Sequence, residues 1–246
     1  MKNENLFVGT SGFTYDHWGG GVFYPDGVSK HKWLEYYAQF FDTTELNVTF
    51  YRLPSENAFE GWYRRTPQRF SFAVKGSRFI THIKKLHEME EPLQLFIERV
   101  SLLKEKVSVV LWQLPPSFHV HVDRLSFFVA LLGRWRSVIQ VFEFRHESWF
   151  CEDVYRILKK SNMAVCQADW PEITVNAPIT ADFVYLRRHG PAKQMYRGCY
   201  SHAELRSDAK KIQSLLKEGK RVYIYFNNDE SGYAVKNALA LKKMLV

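Results

Sequence analysis

Short apolar runs that stop abruptly at polar residues recur along the chain. The clearest is Tyr-Ile-Tyr-Phe at 223–226, which Asn227, Asn228 and Asp229 follow directly. Packing gives a buried strand no reason to end on two amides and a carboxylate, so these three residues are candidates for binding or chemistry. The same pattern occurs at 72–75, 110–113, 141–145 and 184–187. A near-continuous apolar run such as 107–112 is typical of a parallel strand that is covered on both faces.

Eight predicted strands alternate with mostly helical connections. The strands are predicted at 6–9, 43–47, 69–75, 107–112, 138–144, 163–166, 183–186 and 221–226, and the helices at 32–41, 55–65, 92–104, 125–135, 152–161, 201–217 and 232–245. The connection at 170–182, between strands six and seven, is predicted to be irregular because it is short and interrupted by prolines. The alternation predicts a parallel α/β fold. We expect a single (β/α)8 TIM-type barrel that spans 1–246 as one domain. An open doubly wound sheet is the alternative, but the chain lacks a GxGxxG turn.

The length of the chain fits a β/α barrel, and its composition indicates which partners and which cellular compartment to expect. The 246 residues match the roughly 250 of a typical β/α barrel. The net charge of +8 favours anionic partners such as phosphates or nucleic acid, or reflects a solvated basic surface. Cys151, Cys166 and Cys199 are widely spaced and are expected to be reduced thiols. No signal sequence precedes the first strand, and no apolar run approaches the length of about 20 residues that spans a bilayer. We therefore expect a cytoplasmic protein with no membrane partner.

The polar strand ends predict a site, because the carboxyl ends of all strands meet at one mouth of a closed barrel. The candidate catalytic residues are the titratable groups Glu45, Lys75, Glu143, Asp169 and Asp229. The candidate substrate-binding residues are Ser11, Asn47, Tyr51, Gln113, Arg145, Arg187, His189, Asn227 and Asn228.

The residue types at these strand ends suit acid/base chemistry on an anionic ligand. Lys75, Arg145 and Arg187 supply positive potential, and the planar guanidinium groups suit phosphate or carboxylate. The carboxylates can act as general acid or base. The sequence thus predicts a hydrolase or isomerase for a phosphorylated or otherwise anionic substrate, without an organic cofactor. Two alternatives remain open: a desolvated Lys75 can be a Schiff-base nucleophile, and the charges can simply pair in a buried ion network.

Metal and nucleic acid are two further possibilities for partners. The carboxylates, together with His146 or His189, could hold a divalent metal, but no HExxH pair is present and the basic residues compete for the acids, so no metal ligand is assigned. A nucleic-acid-binding protein or nuclease is the alternative function. It is suggested by the net charge, by the basic pairs at 64–65 and 84–85, and by the aromatic residues Phe13, Tyr15 and Trp18, which we expect to be exposed. A ligand-binding barrel without turnover is a third possibility.

Several motifs in a fixed order resemble one known family. They are Gly-Thr-Ser-Gly-Phe-Thr-Tyr at 9–15, Glu-Leu-Asn-Val-Thr-Phe-Tyr-Arg-Leu-Pro at 45–54, Phe-Ala-Val-Lys at 72–75, Gln-Leu-Pro-Pro at 113–116, Glu-Phe-Arg-His at 143–146, Ala-Asp-Phe-Val-Tyr-Leu-Arg at 181–187 and Tyr-Phe-Asn-Asn-Asp at 225–229. Over essentially its whole length the chain closely resembles the YecE-like family, domain-of-unknown-function family 72. The resemblance implies a single β/α barrel and no particular reaction. One departure is Arg188, where the family pattern leads us to expect an apolar residue.

Overall fold

The structure is a computed structural model that describes residues 3–170, 177–192 and 196–245. Strands and helices alternate along these residues. The strands are β1 Leu6–Thr10, β2 Thr43–Leu46, β3 Ser71–Lys75, β4 Val107–Gln113, β5 Ile139–Glu143, β6 Ala164–Val165, β7 Gln167–Ala168, β8 Phe183–Arg188 and β9 Arg221–Phe226. The helices are α1 Trp33–Phe40, α2 Val48–Tyr51, α3 Glu56–Arg64, α4 Glu90–Val100, α5 Val122–Leu132, α6 Glu152–Lys160, α7 His202–Lys217 and α8 Tyr233–Leu245.

The strands form two parallel sheets, which confirms the predicted α/β class. One sheet has the order β1-β9-β8-β7 and the other has the order β2-β3-β4-β5-β6. Every strand pair in the described part of the chain is parallel. The carboxyl ends of neighbouring strands therefore share one edge, where the register sets Gln113 beside Glu143.

Several local predictions were wrong. The predicted sixth strand at 163–166 is reduced to β6, and a further strand that was not predicted, β7, follows after Cys166 and belongs to the other sheet. The segment after β2, where no helix was predicted, contains the short helix α2. Helix α5 begins at Val122 rather than at the predicted 125, and its N-cap is His121, whose ring accepts a hydrogen bond from the backbone N–H of Arg124. Part of the irregular connection predicted after strand six, 171–176, lies outside the described residues.

The two sheets contact each other through β1 and β2. Ser11, the residue after β1, forms an isolated parallel bridge with Glu45 of β2. The hydroxyl of Tyr37, from α1, accepts from the backbone N–H of Thr10 at 3.0 Å and donates to the carbonyl of Thr43 at 3.1 Å. One buried hydroxyl therefore links the two sheets.

Two apolar cores hold the elements together. The larger core lies between strands and helices, and amphipathic helices such as α6 bury one face in it while their charged face remains in solvent. The smaller core contains inward-facing residues of both sheets, with members on β3, β4, β5, β6, β8 and β9. Because side chains alternate along a strand, the residue two positions after an inner-core residue faces the same side. Ala73, Val141 and Tyr185 in this core therefore precede Lys75, Glu143 and Arg187 on the same face.

None of the helices in the described ranges is long and apolar enough to cross a membrane.

Candidate functional site

A pocket of about 700 Å³ opens at the carboxyl ends of β1, β2, β3, β8 and β9. Six of the predicted catalytic and substrate-binding residues line it: Asn47, Tyr51, Lys75, Arg187, Asn227 and Asp229. The remaining lining residues are Gly12, Phe13, Thr14, Tyr15, Leu46, Val48, Trp62 and Tyr196. A volume of this size accommodates a metabolite rather than a single ion.

Arg187 is the centre of a buried ion network at the base of this pocket. Its Nη2 lies 2.7 Å from Oε1 of Glu45, and its Nη1 lies 2.7 Å from Oε2 of Glu143. Nη2 also donates to the hydroxyl of Ser11 at 3.0 Å. The second oxygen of Glu45 accepts from Tyr185 at 2.6 Å. Arg187 joins β8 to β2 and β5, and its paired donors are not available to a ligand.

Arg145 is the second cation of the network, and it binds the other oxygen of Glu143. Its guanidinium lies over the ring of Trp170. Burial alone would raise the pKa of Glu143, but Arg145 and Arg187 outweigh burial and hold that pKa well below its usual range. Burial and the two carboxylates act on the pKa of Arg187 in opposite directions, and the carboxylates prevail, raising it. Glu143 is therefore an anion in the folded protein and a poor general base.

Lys75 is the cation that the network leaves without a carboxylate. It is 9% exposed, and its ammonium lies 4.2 Å from the centre of the Phe50 ring. Within the described residues no hydrogen bond or ion pair reaches its Nζ. Burial and the neighbouring Arg187 lower the pKa of Lys75 to about 8, although Glu143 and Glu45 act in the opposite direction. A substantial share of the neutral amine is thus present near neutral pH.

The histidines around this network are held neutral. Burial, followed by Arg187, lowers the pKa of His189 well below its usual value. Its Nδ1 lies 3.1 Å from Nδ2 of Asn227, and its ring stacks on Trp170. Burial and the charge of Lys75 lower the pKa of His82 to about 4. After burial, the largest contribution to each lowered pKa comes from a cation, Arg187 for His189 and Lys75 for His82. These shifts indicate a positive potential at the base of the pocket.

Asp229 is a carboxyl group in the same pocket whose environment differs from that of Glu143. It accepts a hydrogen bond from the indole of Trp18, and His17 Nε2 lies 2.9 Å from its second oxygen. Burial raises the pKa of Asp229 to about 6, although these two partners oppose the shift. A carboxyl group with a pKa near the working pH can both take up and release a proton.

Polar and aromatic groups complete the lining. Asn47 donates to Ser11 at 2.9 Å, while its buried Oδ1 has no hydrogen-bond donor among the described residues. The hydroxyl of Tyr15 donates to the carbonyl of Ser11 at 2.5 Å, and burial raises its pKa. Tyr51 is 77% exposed at the rim. A ligand could therefore meet one free acceptor and several ring faces.

Eight predicted site residues are not in the pocket lining. Five of them lie in or beside the ion network, namely Ser11, Glu45, Glu143, Arg145 and His189, and the other three lie apart from it. Asp169 accepts from the backbone of His189 at 2.6 Å and also from the hydroxyl of Tyr200, and it lines a second cavity beside α7. Asn228 is buried and donates to Asn237 of α8 at 2.8 Å. Gln113 lies half-buried at the end of β4. The contacts of Asp169 and Asn228 brace the loops behind the pocket.

Sequence reasoning missed His17, Trp62 and Tyr196, which come from loops and from α3. It also expected Trp18 to be exposed, and this was wrong, since Trp18 is 0% exposed and binds Asp229. Tyr185 could have been found, because it lies two residues before Arg187 on the same strand. The unexpected Arg188 forms a two-bond ion pair with Asp208 of α7 and does not enter the pocket lining.

Metal-binding clusters are not found in the described part of the chain. No group of three or more His, Cys, Asp or Glu side chains is placed there to hold an ion. The carboxylates of Glu45 and Glu143, which the sequence offered as ligands, bind arginines instead.

Solved structures share this fold along nearly the whole chain. A DUF72 family protein from Thermotoga maritima has a TM-score of 0.82 and 31% identity, with 98% of each chain covered. A DUF72 family protein from Enterococcus faecalis has a TM-score of 0.80 at 20% identity, covering 98% of this chain and 95% of its own, which supports the fold alone.

Sequence comparisons agree with the structural ones and confirm the resemblance. The UPF0759 protein YunF of Bacillus subtilis is 26% identical over 274 aligned positions, covering 98% of this chain and 94% of the relative. The UPF0759 protein YecE of Escherichia coli K12 is 32% identical over 85 positions, which cover 35% of this chain and 31% of the relative. The model of the family described as "Protein of unknown function DUF72" matches residues 7–246. The chain belongs to this family.

Proposed function

We propose that the chain is an enzyme that binds a small anionic substrate in this pocket and transforms it by acid/base chemistry. The proposal rests on two groups that line the same cavity, Lys75 and Asp229. Lys75 is a buried cation without a counter-ion among the described residues, and Asp229 is a carboxyl group whose pKa is raised to about 6.

The charge balance supports an anionic ligand. Lys75, Arg145 and Arg187 are three cations, and Glu45 and Glu143 are two carboxylates that bind the arginines. Within this network the positive charge of Lys75 thus remains without a carboxylate among the described residues, while the carboxylate of Asp229 lies beside Trp18 and His17. Because an unpaired buried charge is costly, a phosphate or carboxylate group that approaches Lys75 gains a strong interaction.

The lining supports a substrate with a polar and a ring-like or apolar part. Asn47 offers a free carbonyl oxygen, and Tyr51 and Trp62 offer ring surfaces. Asp229 supplies the proton transfer, since its raised pKa keeps both protonation states populated near pH 6. This assignment moves the catalytic role from Glu143, whose oxygens bind arginines, to Asp229 and Lys75. A hydrolase or an isomerase uses such a pair of groups.

We also propose that the two sheets close into one (β/α)8-type barrel and form a single domain over 1–246. The bridge between Ser11 and Glu45 joins β1 to β2 on one side. On the other side, only Cys166 separates β6 from β7, and its N–H donates to the carbonyl of Phe142 at 2.8 Å. The inner core that both sheets share also supports closure.

Ligand screening with matched variants tests the proposed function. Phosphorylated and carboxylated metabolites are assayed for an increase in the melting temperature of the wild-type protein, of Lys75→Met and of Lys217→Met. Lys217 lies exposed at the end of α7, so its variant removes the same charge far from the pocket. We expect ligands that stabilise the wild type and Lys217→Met but not Lys75→Met.

Turnover of each binding compound is then followed by NMR. Asp229→Asn should bind the substrate and fail to convert it. Equal stabilisation of Lys75→Met and the wild type would contradict the anion site. Binding without conversion by the wild type would indicate a ligand-binding barrel without turnover.

A single-stranded nucleic acid is the second candidate ligand, and the exposure of Tyr51 at the pocket rim favours it. The basic pairs carry less weight, because Arg64 binds Glu60 and Lys84 binds Glu88. Fluorescence anisotropy with labelled single-stranded DNA and RNA tests this candidate. Binding should weaken steeply with salt and be reduced in Tyr51→Ala. Binding that is absent or independent of salt would exclude it.

A further inference from the structure

Lys75 has the surroundings of a nucleophilic amine rather than those of a structural ammonium group. A second buried lysine provides the comparison, since Lys106 donates to the carbonyls of Tyr63 and Thr66 at 2.7 and 2.8 Å. Lys75 instead extends from the end of β3 into the 700 Å³ pocket, where the centre of the Phe50 ring lies 4.2 Å from its ammonium and no residue that the structure describes accepts a hydrogen bond from it. Its lone pair, once a proton has left, faces space that a substrate can occupy.

We propose that Lys75 forms an imine with its substrate, and that the substrate is an anionic aldehyde or ketone. The inference rests on the proposed function, since it assigns the chemistry of the same site. A carbonyl compound is the class of substrate with which an uncharged amine reacts as a nucleophile. The iminium product carries a positive charge beside Arg187 and Arg145. The substrate therefore needs an anionic group that offsets this charge.

The step balances without a further reactant. The Nζ of neutral Lys75 attacks the carbonyl carbon, and the C–N bond forms while the C=O π bond breaks and the oxygen takes up a proton from solvent, equivalent to the one that Lys75 released on becoming neutral. Nζ then loses a proton, the hydroxyl group is protonated, and the C–O bond breaks to release water as the C=N bond of the iminium ion forms. Asp229 lines the same pocket and can accept the proton from nitrogen and return it to the departing hydroxyl.

Burial, together with the two neighbouring arginines, favours the neutral amine of Lys75. Burial is the largest cause of the lowered pKa, followed by Arg187; Glu143 and Glu45 oppose the shift, and Arg145 adds to it. His82 is neutral and adds no charge. At pH 7.5 a lysine with a pKa of about 8 is roughly one-quarter neutral, against about 0.1% for an ordinary lysine.

Reductive labelling tests the imine. The full-length protein is incubated with glyoxylate, a small aldehyde acid, and sodium cyanoborohydride, which reduces an imine to a stable secondary amine. Peptide mass spectrometry then gives the labelling rate of each lysine. We expect Lys75 to be labelled at least about tenfold faster than exposed Lys217, with a midpoint near pH 8, because the larger neutral fraction outweighs restricted access. Buried Lys106 should remain unlabelled.

One variant and one competitor make the outcome decisive. Asp229→Asn should slow the labelling of Lys75 and leave that of Lys217 unchanged. Inorganic phosphate should protect Lys75 if the pocket binds anions. Labelling of Lys75 no faster than that of Lys217 would overturn the imine, and the proposed function would stand if metabolite binding still required Lys75. Fast labelling without protection by phosphate or by any anionic metabolite would instead contradict the anion site.

Discussion

Replacement of Lys75 by methionine should stabilise the protein while it removes the ligand site. Methionine keeps most of the length of the side chain and can pack against Phe50, but it carries no charge. The ammonium of Lys75 is buried without a counter-ion in the described part of the chain, so the folded protein bears a desolvation cost that the variant lacks. Stability gained together with function lost is the pattern expected of a binding or catalytic group.

The magnitude follows from the pKa of Lys75. Its fall from 10.5 to about 8 corresponds, at 1.36 kcal/mol per pKa unit, to a cost of about 3 kcal/mol at neutral pH. Because the folded-state pKa is lowered, the cost is fully present below about pH 8. It is lost as the pH rises towards 10.5, where the unfolded chain also releases the proton. The gain in the variant should therefore shrink to about 1.4 kcal/mol at pH 9.5.

Urea denaturation of the wild type and Lys75→Met at about pH 7 and about pH 9.5 measures both quantities. Lys106→Met is the matched control, because it removes a buried lysine whose hydrogen bonds to Tyr63 and Thr66 are satisfied. The control should be destabilised, since it leaves carbonyl acceptors unpaired. A Lys75→Met protein that is less stable than the wild type, or whose gain does not change with pH, would refute the reasoning.

Three further changes test the rest of the site and fold. Arg187→Met leaves Glu45 and Glu143 buried without their shared guanidinium, so the free energy of unfolding, measured by urea denaturation, should fall by about 3–5 kcal/mol. A loss below about 1 kcal/mol would show that the fold does not depend on the network. Tyr37→Phe removes the hydroxyl that links the sheets and should cost about 1–3 kcal/mol in the same assay, while an unchanged midpoint would argue against that link. Asp229→Asn should gain stability relative to the wild type as the pH rises from about 4 to 6, because the raised pKa of Asp229 makes its ionisation unfavourable in the folded protein; a difference in stability that stays constant across this range would contradict the raised pKa.

The placement of the site could be predicted from the sequence because strand periodicity determines it. Lys75 and Glu143 end their strands, Arg187 is the last residue but one of β8, and each follows an inner-core residue by two positions. Parallel pairing then brings these ends to one edge. The same reasoning would have added Tyr185, whose hydroxyl binds Glu45.

The roles of these residues could not be read from their positions. Arg145 and Arg187 looked suited to bind a ligand, yet both bind Glu143. Which cation remains without a carboxylate depends on the reach of each side chain across the pocket, and the sequence does not encode that distance locally. Residues just beyond a strand are equally hard to assign, because the loop turns them: Asn228 faces α8 whereas Asp229 lines the pocket.

A crystal structure of the wild-type protein with phosphate or a phosphate ester tests the central claim most directly. We expect an anion in contact with Nζ of Lys75, within the cavity that Asn47, Tyr51 and Asp229 line. Arg187 should keep its bonds to Glu45 and Glu143. An anion that is bound by other residues of the pocket, with Lys75 paired to a carboxylate of the protein, would contradict the claim.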